Sequence, residues 1–498
     1  MKTENLTLQN QNGDNLADQI EGDGMALKRY EALAELLAAD IRDGRLAAGT
    51  RLPSIRKLKQ LHGVSPSTVF QAYYRLEYLG LVRAYERSGY FVAGSGQAPL
   101  REPEPASRPH LSSAVDINQL VFSVLGAIQD PNILPLGSAF PSPQLFPLPR
   151  LARSLATSAR FVDPWDTVAS LPPGYPALRQ QIALRYLGMG MPLAPEQIII
   201  TNGALEALNL CLSAVAQPGD LIAIESPGFY AAAQALERLK MKAIEIPVHP
   251  QEGVDLLVLE RALHEHPVKA CWFMTSFQNP MGTTMSDGAK QALVSLLARH
   301  GIPLIEDDVY TELYFGNRRP LPAKAYDKEG LVMHCSSFSK CLAPGYRIGW
   351  VAPGRFGKEI EQLKLMTTLS ASVPAQAAIA DYLQTGGYDK HLRKLRQALE
   401  AQSSSLNEAI RRHFPDDIRV SRPKGGYFLW VEFPARFDTL QLHRLAAAQG
   451  ISIAPGPIFS ASRQYRNCIR LNFGSPWSAD FEQALATLGA LIKSLYPG

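Results

Sequence analysis

At 498 residues, with 46% hydrophobic and 19% charged side chains and 37 each of Gly and Pro, the chain is too long for one small module and too apolar for a fibrous or largely disordered protein. The formal charge of +4 excludes little as a total, but it is unevenly spread: residues 1–24 carry one Lys against five acids, residues 25–94 carry eleven Lys/Arg against six acids, and the rest is nearly balanced. A basic excess confined to residues 25–94 points to a nucleic-acid-binding module.

The first 24 residues are polar and acidic, lack the apolar core of a signal peptide, and read as a loose tail. From Leu27 to Ile41, Tyr30, Leu33, Ala34, Leu37 and Ile41 recur at helical spacing, and Asp43-Gly44 ends the pattern. Ser54 is placed to cap a short second helix that runs to Leu61 and stops at His62-Gly63. Ser65 is placed to cap a third, with Pro66 at the first helical position, where its missing N–H costs nothing. Val69, Ala72, Leu76 and Leu79 share one face of that helix, which ends at Gly80. Leu81–Tyr85 and Tyr90–Ala93, joined through Glu86-Arg87-Ser88-Gly89, read as a small β-hairpin. Three helices with a tight turn between the second and third, followed by a hairpin, make a winged helix-turn-helix over residues 25–94.

Residues 95–113 contain Pro99, Pro103, Pro105 and Pro109 with almost no aliphatic side chains, and read as a semi-extended linker. Over residues 114–498, apolar runs such as Gln197–Ile200, Leu221–Ile224, Ala270–Met274 and Pro303–Ile305 alternate with helical stretches. That alternation implies an α/β domain around a mostly parallel sheet. Cys211, Cys271, Cys335, Cys341 and Cys468 are dispersed, with no CxxC pair and no ligand-like His spacing, which fits a reduced cytosol and no metal site. No run approaches the ~18–20 apolar residues of a membrane span.

A recognition helix brings its N-terminal side chains to base edges in the major groove while flanking cations hold phosphates. Ser65, Ser67, Thr68 and Gln71 open the third helix, Arg51, Arg56, Lys57 and Lys59 precede it, and Arg87 stands at the wing tip. A basic cluster in isolation reads more readily as an ordinary solvated face; the ordered run changes that weighting. Leu52-Pro53-Ser54-x-Arg56, Gly63-Val64-Ser65-x-Ser67-Thr68-Val69, Ala72-Tyr73-x-x-Leu76, Gly80-Leu81 and Ser88-Gly89-Tyr90-Phe91-Val92 together resemble the winged-helix domain of the GntR family of bacterial transcriptional regulators. The resemblance implies double-stranded DNA as partner, contacted by Arg51, Ser54, Arg56, Ser65, Ser67, Thr68, Gln71, Arg87, Ser88 and Gly89. Pro66 stands where that family often has Arg, so sequence preference does not carry over.

The second informative stretch is Ser336-Ser337-Phe338-Ser339-Lys340, followed by Pro344-Gly345-Tyr346-Arg347-Ile348-Gly349. A lysine can join an aldehyde cofactor as a Schiff base, and nearby hydroxyls with an arginine can clamp a phosphate. Glu306-Asp307-Asp308-Val309-Tyr310 follows an apolar strand, so its carboxylates emerge at a strand C-terminus, where open α/β sheets hold ligands. A pyridine ring draws electrons only while its nitrogen stays protonated, which requires a buried carboxylate beside it. Each piece alone has a bland reading, as a surface lysine, a helix cap, or a turn at Asn279-Pro280-Met281-Gly282.

In this order the pieces resemble the pyridoxal-phosphate-dependent aminotransferases of fold type I. The resemblance implies pyridoxal 5'-phosphate as cofactor, Lys340 as the lysine that joins it, and Asp307 as partner of the pyridine nitrogen. It implies Asn279 and Tyr310 at the phenolate oxygen, and Phe229 of Glu225-Ser226-Pro227-Gly228-Phe229 on the ring face. Ser337, Ser339, Arg347 and the backbone of Gly203, Ala204 and Leu205 would hold the phosphate, and Arg470 matches the arginine that pairs with a substrate carboxylate. Two positions depart from the pattern. Ala204-Leu205 replaces side chains with hydroxyl or amide groups, and Ala169 stands where relatives carry a tyrosine that reaches the partner subunit's cofactor phosphate.

Winged helix, proline-rich linker and an aminotransferase-like domain with a small C-terminal subdomain, in that order, resemble the MocR subfamily of GntR regulators. That resemblance implies a cytoplasmic, domain-swapped homodimer, nucleoid-associated when bound to DNA, that senses pyridoxal phosphate and an amino acid or amine effector. Transaminase activity would be weak at most. A working aminotransferase with an appended DNA-binding module is the alternative, and a vestigial cofactor site that only dimerises is a third.

Overall fold

The computed structural model describes residues 29–43, 45–46, 50–78, 81–85, 89–92, 100–105, 110–112, 118–126, 130, 132–166 and 170–496. The predicted tail of residues 1–24, Arg87 and Ser88 at the wing tip, and Ala169 lie outside them. The chain divides into two units, residues 1–99 and residues 100–498.

In the first unit, α1 (Arg29–Arg42), α2 (Ile55–His62) and α3 (Pro66–Tyr78) precede a hairpin of β1 (Val82–Tyr85) and β2 (Gly89–Val92). The core is the face the periodicity predicts: Leu33, Ala34, Leu37 and Ala38 of α1 pack with Val69, Ala72, Tyr73 and Leu76 of α3. Ser54 Oγ accepts from Lys57 N at 3.3 Å to open α2. Gly63 closes it at φ 61°, a left-handed conformation that glycine adopts without steric penalty. Ser65 Oγ accepts from Thr68 N at 3.2 Å ahead of Pro66. Thr50–Leu52 carries no strand signal in sequence, yet its backbone joins the hairpin: Leu52 N donates to Tyr90 O and Val92 N to Thr50 O, both at 2.8 Å.

The second unit is built on a nine-stranded sheet. Its strands in chain order are β3 (His110–Ser112), then, past the short β4 (Leu134–Pro135) outside the sheet, β5 (Ile199–Thr201), β6 (Leu221–Ser226), β7 (Lys242–His249), β8 (Gly253–Val254), β9 (Val268–Phe273), β10 (Leu304–Asp307), β11 (Val332–Ser337) and β12 (Gly349–Ala352). The spatial order is β3-β7-β6-β9-β10-β11-β12-β5, with β8 on β7. β7, β6, β9, β10 and β11 run parallel, and β12 alone in the interior is antiparallel to both neighbours. β6, β10 and β11 are buried along their whole length, as parallel strands covered on both faces must be. Ser226, Phe273, Asp307 and Ser337 therefore end their strands at one edge of the sheet, where an open α/β sheet holds ligands.

A 27-residue helix, Gly387–His413, leads into a smaller C-terminal part. There β13 (Arg419–Val420), β14 (Phe428–Glu432), β16 (Ala454–Pro455) and β17 (Cys468–Asn472) form an antiparallel sheet in the order β13-β14-β17-β16. β15 (Ile451–Ser452) pairs instead with β4, which anchors the segment that continues to Phe140.

Within the predicted linker of residues 95–113, the described residues are Leu100–Pro105 and His110–Ser112. Leu100–Pro105 is held by the second unit: Val420 N donates to Arg101 O at 2.7 Å, Arg422 Nη2 to Leu100 O at 2.7 Å, and Arg419 pairs with Glu104 at 2.5 Å. β3 then adds to the sheet edge beside β7, Leu111 opposite Ile244. Proline bars a central strand but not an edge approach, and the charges of this stretch find partners on the second unit.

Candidate functional site

On the first unit, Arg51, Ser54, Arg56, Ser65, Ser67, Gln71 and Gly89 are exposed and Thr68 half-buried. The hydroxyls are engaged as caps: Ser65 Oγ lies 2.8 Å from both Ser67 Oγ and Thr68 Oγ1. Among the described residues, Arg51, Arg56, Lys57, Lys59 and Gln71 make no side-chain hydrogen bond or ion pair. Gly89, at φ 96°, lets the Arg51 guanidinium lie against the start of β2, 3.4 Å from where a Cβ would stand.

On the second unit, the C-terminal strand edge gathers the predicted cofactor residues. Asp307 ends β10 with both carboxylate oxygens buried and without a hydrogen-bond partner. Burial, reinforced by the neighbouring charge of Asp308, pushes its carboxyl up to about 7. Lys340 lies in the loop after β11, where its Nζ donates to Ala139 O at 2.7 Å and sits 3.7 Å from the Phe140 ring centroid. Burial lowers its ammonium to about 7, helped by the positive charges of Arg470 and Arg347 and opposed by Asp307.

The predicted phosphate side lies at the start of the helix Ala204–Val215. Its first turn begins at Gly203 with no side-chain cap, so its amides are available to an anion. Gly203 has φ 83°, and a Cβ there would stand 2.5 Å from Arg347 Nη2. Arg347, itself left-handed at φ 54°, thus presses its guanidinium onto the helix N-terminus while Nη1 donates to Ser339 Oγ at 3.3 Å. Two positive ends converge, and no carboxylate pairs with Arg347 among the described residues. Ser337 is turned inward, its Oγ accepting from Ser339 N at 3.4 Å. Ala204 is buried and Leu205 is exposed, so that turn offers backbone donors. Asn202, Tyr346, Arg347 and Ser372 line a cleft of about 420 Å3 beside it.

Asn279, Tyr310 and Arg470 form the third group. Tyr310 is buried among Tyr427 and Phe428, with ring centroids 5.4 and 5.5 Å away, and burial pushes its phenol up. Asn279 is fully buried; its Oδ1 accepts from Arg470 Nη1 at 2.9 Å and its Nδ2 has no partner. Arg470, expected to face a substrate carboxylate, is here 0% exposed. Its Nη2 donates to Gly137 O at 2.6 Å and Ser138 O at 3.1 Å, and its guanidinium lies 4.3 Å from the Phe428 ring. Phe229 caps the helix Tyr230–Arg238 and lines a narrow pocket with Glu225, Trp272, Met274 and Phe459.

Several contributors escape a sequence reading. Ala139 and Phe140 cap Lys340 from a distance of 201 residues, and Tyr427 Oη donates to the same Ala139 carbonyl at 3.1 Å. Asp308 is held by His334 Nε2 at 2.8 Å, and His334 Nδ1 by Tyr186 at 2.6 Å, so one carboxylate of the Asp307-Asp308 pair is committed to a buried relay. Gly349 was legible as a glycine next to the motif: a Cβ on it would meet Gly203 C at 2.5 Å.

Pyridoxal phosphate fits this set on three counts. The bare Asp307 oxygens call for an N–H donor, the Asn279 Nδ2 calls for an acceptor, and the Arg347 and helix terminus call for an anion.

Residues 29–92 match the family described as bacterial regulatory proteins, gntR family, and residues 166–488 match aminotransferase class I and II. The HTH-type transcriptional regulator YdcR of Escherichia coli (strain K12) is 47% identical over 468 residues, covering 94% of this chain and 99% of the relative. YjiR of the same strain, also named an HTH-type transcriptional regulator, is 40% identical over 473 residues, covering 94% and 99%. Among solved structures, the multiple substrate aminotransferase of Thermococcus profundus superposes with TM-score 0.70 at 27% identity, covering 75% of this chain and 94% of that one. Pyridoxal phosphate is the cofactor of that aminotransferase class. Both domains and nearly the full length agree, and the chain belongs to the gntR-family HTH-type transcriptional regulators that carry a class I and II aminotransferase domain, the MocR-type architecture.

Proposed function

We propose that the chain regulates transcription by holding operator DNA through α3 and the hairpin while its second unit binds pyridoxal phosphate and an amino acid or amine. The observation that carries this reading is the presence, on one chain, of a basic helix-turn-helix with unpaired cations and a Lys340–Asp307–Arg347 set whose Asp307 carboxylate is buried without a partner. The DNA reader spans residues 25–94, within the first unit, and the effector domain residues 114–498, within the second.

Bound at this site, the cofactor supplies an aldehyde and an electron-drawing pyridine ring. Lys340, lowered to about 7, offers a neutral amine at physiological pH. Asp307 shares a proton with the ring nitrogen, and the Asp308–His334–Tyr186 relay keeps the adjacent carboxylate turned away. Arg347, Ser339 and the helix N-terminus hold the phosphate. Arg470 receives an effector carboxylate by releasing the Gly137 and Ser138 carbonyls. The effector then acts on DNA only through different affinity for two arrangements of the protein.

We place it as a domain-swapped homodimer in the cytoplasm, at the nucleoid when DNA-bound. Among the described residues no helix is long and apolar enough to cross a membrane. The test is direct: full-length protein retains pyridoxal phosphate through gel filtration, loses it in Lys340→Ala, and recovers preferred duplexes from a random pool. Washout of the cofactor from the wild type, or no duplex preference, contradicts the reading.

A working aminotransferase is the second reading, favoured by the lowered Lys340. Steady turnover of an amino donor with a keto acid, abolished in Lys340→Ala, would establish it.

A further inference from the structure

α3 has two faces. Val69, Ala72, Tyr73 and Leu76 are buried in the unit's core. The opposite stripe, Ser67, Gln71 and Tyr74 with Phe70 beside it, is exposed. Phe70 is 42% and Tyr74 60% exposed, and their rings lie one helical turn apart with centroids at 6.4 Å and planes at 26°. Neither ring belongs to the core, and although the Tyr74 hydroxyl meets Tyr90 of β2, both rings stay exposed.

The surroundings narrow what it meets. From Arg51 to Leu76 the chain carries five Lys/Arg and no carboxylate. Such a surface favours a polyanion over an apolar protein face. In a DNA major groove one base presents an apolar group, the thymine C5-methyl, and its partner adenine presents N6 and N7 to a side-chain amide. Gln71, next to Phe70 and without a hydrogen-bond partner among the described residues, is such an amide. Residues 67 to 74 cover about 10 Å of helix axis at 1.5 Å per residue, roughly three base-pair steps. Pro66, the first residue of α3, has no side-chain donor, and the hydroxyls of Ser65, Ser67 and Thr68 are engaged with one another, so base reading falls to the turn that holds Phe70 and Gln71.

We infer that Phe70, with Tyr74 stacked against it, packs on a thymine methyl group while Gln71 pairs with adenine, so that α3 reads A·T base pairs. This rests on the DNA-reading assignment above and adds which bases are read.

The experiment uses full-length protein and duplexes recovered from a pool with a randomised core. Each thymine of the recovered site is replaced in turn by deoxyuridine, which lacks only the methyl group, and binding is followed by fluorescence anisotropy. Wild-type protein should bind about fourfold more weakly at one thymine position, the worth of one buried methyl. Phe70→Ala should lose that discrimination, Phe70→Leu should retain it, and Gln71→Ala should relax the preference for adenine about tenfold. Far-UV circular dichroism checks that each variant stays folded. Equal binding of thymine and uracil at every position, or discrimination that survives Phe70→Ala, overturns the inference. So does a change of oligomeric mass in Phe70→Ala with discrimination intact, which would assign the aromatic pair to a contact between chains. Absence of any preferred duplex would instead sink the DNA-reading assignment itself.

Discussion

Lys340 sits where three charges compete. Its pKa falls from 10.5 to about 7 because burial and the cations Arg470 and Arg347 outweigh Asp307. Between those values the unfolded chain binds more protons than the folded one, so raising pH from about 7 to 10.5 stabilises the cofactor-free protein through this group. Asp307 acts oppositely: its carboxyl is raised from 3.8 to about 7, so its contribution falls as pH rises through that window. Only the neutral amine attacks an aldehyde, so the rate of pyridoxal phosphate uptake should climb with a midpoint near pH 7 and then level. A stopped-flow series from pH 5.5 to 10 checks this; a rate still climbing toward 10.5 contradicts the burial account. Gly203→Ala forces a Cβ to 2.5 Å from Arg347 Nη2 at φ 83°. Strain of about 1–3 kcal/mol should weaken cofactor affinity roughly 5- to 150-fold by equilibrium titration.

At this scale the sequence was legible where chemistry and motif are local. Lys340, Ser339 and Arg347 lie within eight residues, and Asp307 ends an apolar run. The enclosure of Arg470 was not legible. It depends on carbonyls 333 and 332 residues away, delivered by the pairing of β4 with β15.

At the scale of elements, α2 and α3 follow from their caps, because Ser54, Gly63 and Ser65 satisfy or redirect backbone groups that a short helix leaves open. β3 did not follow, since three residues after a proline-rich stretch carry no period and take their strand from β7. Arg56, exposed on α2 and unpaired, is set to hold a phosphate. Arg56→Ala should weaken binding to all duplexes alike and reduce the slope of log K against log salt by about 0.9. An unchanged slope rejects that contact. Leu58, the buried side chain of α2, gives a contrast: Leu58→Ala should cost about 2–5 kcal/mol in unfolding of the first unit. Calorimetry should show that loss with the second unit's transition unmoved.

At the scale of the molecule, one chain joins a basic reader to a cofactor site, and the charge of +4 is the sum of an acidic tail at −4, a basic reader at +5 and a remainder at +3. A regulator of this kind requires coupling between the sites, typically 1–3 kcal/mol, and linkage makes it reciprocal. The decisive measurement is operator affinity of the full-length protein, by anisotropy, in the cofactor-free form, with pyridoxal phosphate, and with pyridoxal phosphate plus each amino acid or amine of a panel. At least one ligand state should shift affinity by about 5- to 150-fold, Lys340→Ala should abolish the shift, and operator DNA should change effector affinity by the same factor. Identical operator affinity in all ligand states would contradict this coupling.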